Sequence, residues 1–258
     1  MKRKTLSQHE KLSTRAAGRR AEPWNDGPRP GRHGPTPRMT ADQTNPPLAV
    51  KRATVHARVY DAMKRALMRG QFEPGQKITI RAAAAVLGTS ATPVREAIRR
   101  LAAEGALEHL RSGSAQLPSL TRERLFEVTE VRIALESLAA RHAASRMTRG
   151  NIDALEALQA QLGKARDRED YETYLALNEA FHFAYYRAAA MPILLRAIES
   201  MWLQSGPYLS LLLPGMRGID LHAAAIDAGR RQDGAAAAFA IAEDIRRAAE
   251  RLASLLHQ

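Results

Sequence analysis

A mostly helical protein in two parts is what this 258-residue chain predicts: three short helices closed by a hairpin, then an all-helical antiparallel bundle. Three observations carry that expectation. Aromatic residues make up only 5% of the chain while alanine runs are common, a balance that favours helix over an all-β sandwich. Apolar residues recur at three- and four-residue steps through nearly all of the chain beyond residue 54. Glycines and prolines punctuate those stretches where helix ends and tight turns require them.

Within 54–69, Val55, Val59, Met63, Ala66 and Leu67 make one apolar face, and Gly70 stops the helix. After a turn at Pro74-Gly75, Thr79 is placed to cap a second helix over 80–87, which ends at Gly88. Ser90 is placed to cap a third over 91–104, with Pro93 tolerated in its first turn and Gly105 ending it. Segments 106–110 and 114–117 flank Arg111-Ser112-Gly113 and read as a hairpin, which completes the parts of a winged helix–turn–helix. Helices are then expected over 121–147, 151–167, 170–188, 192–212, 219–230 and 234–257, the pattern of an antiparallel bundle. Residues 1–50 hold 7 of the 13 prolines and little apolar periodicity, so they read as a disordered basic tail. The expected domains are therefore 1–50, 51–118 and 119–258.

The absence of cysteine excludes a disulfide scaffold, a thiol nucleophile and thiolate metal sites, and suits a reducing, cytoplasmic setting. The longest apolar run, around 235–242, falls far short of the ~20 residues of a membrane span, and the basic start lacks the apolar stretch of a secretory signal. Charge is unevenly spread. Residues 1–50 carry 10 Lys and Arg against 4 Asp and Glu, residues 51–118 carry 12 against 5, and residues 119–258 carry 17 against 18. The whole excess of +12 thus lies in the first 118 residues, the layout expected when that part meets a polyanion. A winged unit lays its third helix in the major groove of DNA and its wing over the backbone. Arg95 and Arg99 stand one turn apart on that helix, Arg81 opens the helix before it, and Arg111 lies in the wing. Arginine forks onto guanine edges or phosphates, and a helix start carrying Ser90 and Thr92 offers N–H groups to a phosphate.

Two polar pairs interrupt the apolar stripes of the bundle. Asn178 and His182, four residues apart, share a face with Tyr171, Leu175, Phe181 and Tyr185. His222 and Asp244 stand nearly equal distances from the turn at Gln232, so an antiparallel helix pair makes them neighbours. Four inward nitrogen and oxygen donors can form a mixed imidazole–oxygen site for a divalent metal. The plainer alternative is that the buried histidines are hydrogen-bonded core residues. Arg132 lies on the stripe of Leu125, Val128, Leu135 and Ala139, and an inward arginine needs an anionic partner, which Glu136 four residues on can supply.

The stretch Phe72-Glu73-Pro74-Gly75 through Ser90-Ala91-Thr92-Pro93-Val94-Arg95-Glu96-Ala97-Ile98-Arg99-Arg100-Leu101-Ala102-Ala103-Glu104-Gly105 resembles the DNA-binding domain of GntR-type bacterial transcription regulators. Val128-Thr129-Glu130-Val131-Arg132-Ile133-Ala134-Leu135-Glu136 resembles the opening of the helical effector domain of their FadR-like (FCD) subfamily. The resemblance runs from about Val55 to the C-terminus. It implies a dimeric DNA-binding regulator, more often a repressor, that answers to a small carboxylate. It also places Arg81, Ser90, Arg95 and Gly113 on DNA-contacting positions, although Ala91 stands where arginine is common. Many FCD members hold a divalent metal through an aspartate, a histidine four residues on and two further histidines. Asn178, His182, His222 and Asp244 fall on those positions. Asparagine replaces the aspartate and aspartate the last histidine, so one carboxylate remains among neutral donors. The resemblance therefore implies a retained but altered site for zinc, nickel or manganese, with loss of the metal as the alternative. It also implies that Arg132 helps to hold the effector carboxylate.

An enzyme on a helical bundle is the competing class. The chain has no His-Glu-x-x-His pair, no Gly-x-Ser-x-Gly elbow, no phosphate-cradling glycine loop and no dinucleotide fingerprint. A DNA-binding protein whose bundle only dimerises is a third reading.

Overall fold

The computed structural model describes residues 54–73, 75–111, 113–213 and 219–256, and the expected tail and the turn residues Pro74, Ser112, Pro214 and Gly215 lie outside them. Residues 51–258 form one compact unit. Its elements, in order, are α1 (Val55–Met68), β1 (Lys77–Ile78), α2 (Ile80–Val86), α3 (Ala91–Ala103), β2 (Glu108–His109) and β3 (Ala115–Gln116). These are followed by α4 (Arg122–Ala144), α5 (Arg149–Asp167), α6 (Tyr171–Arg187), α7 (Pro192–Ser205), a 3₁₀ segment (Gly206–Leu212), α8 (Ile219–Arg230) and α9 (Gly234–Leu255).

Local chemistry sets the helix starts. Thr54, Thr79, Thr121, Thr148, Asp170 and Asp233 each accept a backbone N–H of the turn they open. Thr148 and Asn151 form a reciprocal capping box, so α5 begins at Arg149, two residues before its expected start. The wing also differs from a simple hairpin. β3 lies between β2 and β1 in an antiparallel sheet, with Ala115 opposite both His109 and Ile78. A two-residue strand leaves no periodicity in sequence, which is why β1 went unpredicted. The helix expected over 192–212 is likewise two elements. Pro207 has no N–H for α-helical bonding, and the chain tightens into 3₁₀ from Gly206.

In the bundle, α4 packs along α9 and α5 along α6, with α8 against both α5 and α9. The buried faces of these two helices are rich in alanine, with Ala139, Ala140, Ala143 and Ala144 on α4 and Ala237 and Ala240 beside Ile241 on α9 all at most 3% exposed. At its end a Cβ on Gly234 would lie 2.8 Å from the Arg141 carbonyl oxygen.

The winged unit is fastened to the bundle chiefly through α7 and the 3₁₀ segment. Lys64 pairs with Glu199 and Arg69 with Glu179, each at 2.7 Å. Arg124 donates to the Gly105 carbonyl at 2.8 Å and to Gln204 at 3.2 Å, and the Tyr208 hydroxyl donates to the Pro118 carbonyl at 2.5 Å. Gly206 makes the closest approach: a Cβ there would lie 2.6 Å from the Met68 carbonyl oxygen and 2.7 Å from its Cα. Backbone cannot yield as a flexible side chain can. Gly206→Ala is therefore expected to destabilise the protein by about 1–3 kcal/mol, read as a lower unfolding midpoint in urea. Gly163→Ala, in helix α5 with nothing within 4 Å of its Cβ position, serves as the control. It should be neutral or stabilising by up to ~1 kcal/mol.

Candidate functional site

One face of the winged unit carries exposed arginines. In α3, Pro93, Val94, Ala97, Ile98 and Leu101 are buried, which turns Thr92, Arg95 and Arg99 outward. Arg81 in the first turn of α2 is exposed as well. Among the described residues no ion pair or hydrogen bond engages the side chains of Arg81, Arg95 or Arg99. Arg100 differs, since its Nε donates to Glu104 at 3.0 Å and its guanidinium lies 3.7 Å over the Tyr60 ring. Ser90 occupies the N-cap position of α3 with extended backbone, but its side chain makes no capping bond, contrary to the sequence expectation. That hydroxyl is exposed beside the helix start. Gly113 is exposed in the wing turn at φ 78°, a conformation that glycine alone adopts without cost, and its N–H donates to the Leu110 carbonyl at 2.9 Å.

The second site lies inside the bundle. His182 on α6, His222 on α8 and Asp244 on α9 present ligand atoms that all lie within 4.8 Å of one another. His182 Nε2 is 3.2 Å from His222 Nε2 and 3.3 Å from Asp244 Oδ2, and His222 Nε2 is 3.8 Å from the same oxygen. Two ligand atoms each about 2.1 Å from an ion are about 3.0 Å apart at a right angle and about 3.4 Å apart at the tetrahedral angle, so the spacing fits a shared cation. Phe181 holds the His222 ring by stacking at 4.1 Å. His222 Nδ1 is buried without a hydrogen-bond partner, so no protein group claims this ring as a core hydrogen-bonding residue through that nitrogen. Asn178 is buried one turn before His182 and, among the described residues, its side chain makes no hydrogen bond. Three of the four residues named from the sequence, His182, His222 and Asp244, are brought together, and Asn178 lines the same cavity as His182 and Asp244; the His222–Asp244 pairing follows from their positions about the α8–α9 turn.

Behind His182 lies a carboxylate whose role the sequence did not reveal. Glu136 on α4 is fully buried. It accepts from Arg132 Nε at 2.6 Å, from the Tyr186 hydroxyl at 2.6 Å and from Trp202 Nε1 at 2.9 Å. Tyr186 Oη is in turn 3.0 Å from His182 Nδ1. The expected Arg132–Glu136 ion pair exists, but as one spoke of a four-residue cluster drawn from three helices. The signal available in sequence was the four-residue step from His182 to Tyr186, which repeats the step from Arg132 to Glu136.

A cavity of about 1170 Å³ opens onto these groups, and its walls include Arg132, Tyr174, Asn178, His182, Trp202 and Asp244. Pockets for small organic ligands run to roughly 300–1,000 Å³, so there is space for one here. The Tyr174 hydroxyl and Gln159 Oε1, both on residues of this wall, are buried without partners. Burial pushes the Tyr174 hydroxyl up to about 12, keeping it a donor. Burial works against the Asp244 charge, while the nearby Arg132 guanidinium favours it.

Burial also pushes His222 down from 6.5 to about 4, with Asp244 opposing the shift. The fold thus disfavours the imidazolium. Stability is complete above the ordinary histidine value and is lost as pH falls through the window from 6.5 to about 4. Chelator-treated protein should therefore lose roughly 2 kcal/mol between pH 7.5 and 5 from this group, measured by urea unfolding. An unchanged midpoint at pH 5 would contradict a buried neutral His222.

Residues 55–116 match the family described as bacterial regulatory proteins, gntR family, and residues 127–247 match the FCD domain. The chain is 30% identical over 172 residues to the HTH-type transcriptional regulator McbR of Escherichia coli K12, covering 67% of this chain and 78% of that protein. It is 33% identical over 159 residues to a probable D-xylose utilization operon transcriptional repressor of Paenarthrobacter nicotinovorans, covering 59% of this chain and 67% of that one. The solved structure of E. coli McbR/YncC superposes with a TM-score of 0.75 at 26% identity, covering 80% of this chain and all of that one. A GntR regulator from Rhodococcus sp. RHA1, at 16% identity and a TM-score of 0.65 over 77% of this chain and 97% of its own, shares the fold. These domains and relatives are transcription regulators, which sets the enzyme reading aside. The chain belongs to the GntR family of bacterial regulatory proteins, as a DNA-binding transcription regulator that carries an FCD domain.

Proposed function

We propose that this regulator binds duplex operator DNA in the cytoplasm as a homodimer, acts as a repressor, and is released by a small carboxylate received at a divalent-metal centre. In this reading residues 51–118 contact DNA and residues 119–258 bind effector and dimerise. Arg95 and Arg99 enter the major groove, while Arg81, Ser90, Thr92 and the Gly113 wing turn contact phosphates. Reading by paired half-sites suits a winged helix–turn–helix, and the P. nicotinovorans relative is named as a repressor.

The observation that carries the effector half is the convergence of His182, His222 and Asp244, two of which, His182 and Asp244, line the same cavity as Arg132. Asn178, His182, His222 and Asp244 would hold the ion, a set of two imidazoles, a carboxylate and an amide oxygen that suits zinc, nickel or manganese. Such an ion supplies fixed positive charge for an anionic ligand. Arg132 binds Glu136 through Nε and Nη2 and also lines the cavity, so it can add a guanidinium contact to an incoming carboxylate. Trp202 lines the same cavity on α7, and Glu199 of that helix grips Lys64 of the winged unit. An effector alters DNA binding only by favouring one arrangement of these parts over another.

Two outcomes are expected. Arg95→Ala should weaken operator binding by about 1–3 kcal/mol if the arginine reads a base, followed by fluorescence anisotropy on DNA upstream of its own gene. His182→Ala should lose bound metal and effector response while operator affinity stays close to wild type. Metal analysis of wild-type protein purified without chelator or affinity-tag metal is the direct check. A metal content near zero that zinc, nickel and manganese all fail to restore would leave a plain polar pocket.

A further inference from the structure

We propose that Glu136 and Tyr186 are positioning residues that fix the tautomer of His182, so that its Nε2 faces Asp244 and His222 as a bare lone pair. The consequence for metal affinity rests on the metal reading above, whereas the tautomer assignment stands on hydrogen-bond geometry alone.

The argument is a proton count. Glu136 is ion-paired with Arg132 at 2.6 Å and also accepts from the Trp202 indole at 2.9 Å, so its carboxylate oxygens act as acceptors. Tyr186 has one hydroxyl proton and two polar contacts, Glu136 Oε2 at 2.6 Å and His182 Nδ1 at 3.0 Å. Turning that proton toward His182 would leave two oxygens facing each other at 2.6 Å with no hydrogen between them. The proton therefore belongs to the Glu136 bond. The remaining contact needs a donor, and only His182 Nδ1–H can supply it. In its neutral form an imidazole carries a single N–H, so in that form Nε2 has none.

That nitrogen is the one that stands 3.2 Å from His222 Nε2 and 3.3 Å from Asp244 Oδ2. In this tautomer His182 has no proton to give the aspartate, and lone pairs of His182 and Asp244 face each other in a buried site. A cation placed among them removes that conflict, which the opposite tautomer would have relieved with an ordinary histidine–carboxylate hydrogen bond. Glu136 thus commits the histidine to being a ligand. A carboxylate acting through a second hydrogen bond also raises the basicity of a ligating imidazole, and outer partners of this kind are worth about 10–100-fold in metal affinity.

Tyr186→Phe is the informative variant, because it removes the acceptor of His182 Nδ1–H while keeping the ring that fills the core. Two measurements test the proposal. In chelator-treated wild-type protein labelled with ¹⁵N-histidine, two-bond proton–nitrogen correlations should show His182 protonated at Nδ1. In Tyr186→Phe that preference should be lost, while the His222 pattern, whose Nδ1 has no partner, stays as in wild type. In chelator competition with zinc, Tyr186→Phe should bind about 10–100-fold more weakly, with its far-ultraviolet dichroism and operator affinity retained. Glu136→Gln, which keeps the side-chain shape, should move both readouts in the same direction wherever it folds. His182 protonated at Nε2 in the wild type, or zinc affinity unchanged in Tyr186→Phe, would overturn the proposal. A wild-type protein that takes up no zinc overturns the metal reading and the affinity half together, and the nitrogen shifts still decide the tautomer.

Discussion

The bundle is organised around a buried negative charge. Glu136 has no exposed surface and is reached by a guanidinium, a phenol and an indole, which belong to α4, α6 and α7. A lone carboxylate there would cost several kcal/mol to desolvate, and removing one partner of a buried ion pair typically costs about 3–5 kcal/mol. Each donor is therefore held in place by the need to satisfy the others. The Tyr186 proton is held by Glu136, the His182 ring by Tyr186, and the Trp202 ring lies against His182 at 5.2 Å. Arg132, 5.0 Å over that same indole, is tied into the cluster by its ion pair. The polar cavity wall is in effect the outer edge of this cluster.

The same cluster is joined to the winged unit by packed elements. Helix α7 is shared property. Ile198, Trp202 and Leu203 are buried in the core, while Glu199 and Gln204 contact α1 and the end of α3 through Lys64 and the Gly105–Arg124 junction. The 3₁₀ segment continues this role, with Leu209 and Leu212 on the cavity wall and Gly206 pressed against the Met68 backbone. Close-packed interiors transmit displacement because they have little free volume to absorb it. On α6, Glu179, which pairs with Arg69 of the winged unit, is the immediate neighbour of Asn178.

Much of this was legible in the sequence, and the reasons differ by element. Helix positions follow from three- and four-residue apolar steps and from threonines and aspartates at helix starts, both of which are local signals. The pairing of His222 with Asp244 follows from counting outward from one tight turn, since an antiparallel helix pair preserves that register. Glu136 was visible only as the partner of Arg132, because Tyr186 and Trp202 reach it from helices 50 and 66 residues away. Ser90 is an instructive miss: it stands at the right position with the right backbone, yet its hydroxyl makes no capping bond. The closeness of Gly206 to Met68 is equally invisible beforehand, because a glycine in sequence does not say what backbone will press against it.

The position of Trp202 has a practical consequence. The chain contains two tryptophans, Trp24 and Trp202, and Trp24 lies outside the described residues. Trp202 donates to an anionic carboxylate, lies beneath a guanidinium and touches an imidazole, and its helix is one of those that meet the winged unit. Indole emission is sensitive to charge within a few ångströms and to collision with neighbouring groups. Replacing Trp24 by phenylalanine would leave one emitter, seated between the cavity and the DNA-binding half. The protein thus carries its own optical reporter, and intensity and lifetime changes in that single residue would register events at the cavity without any attached dye.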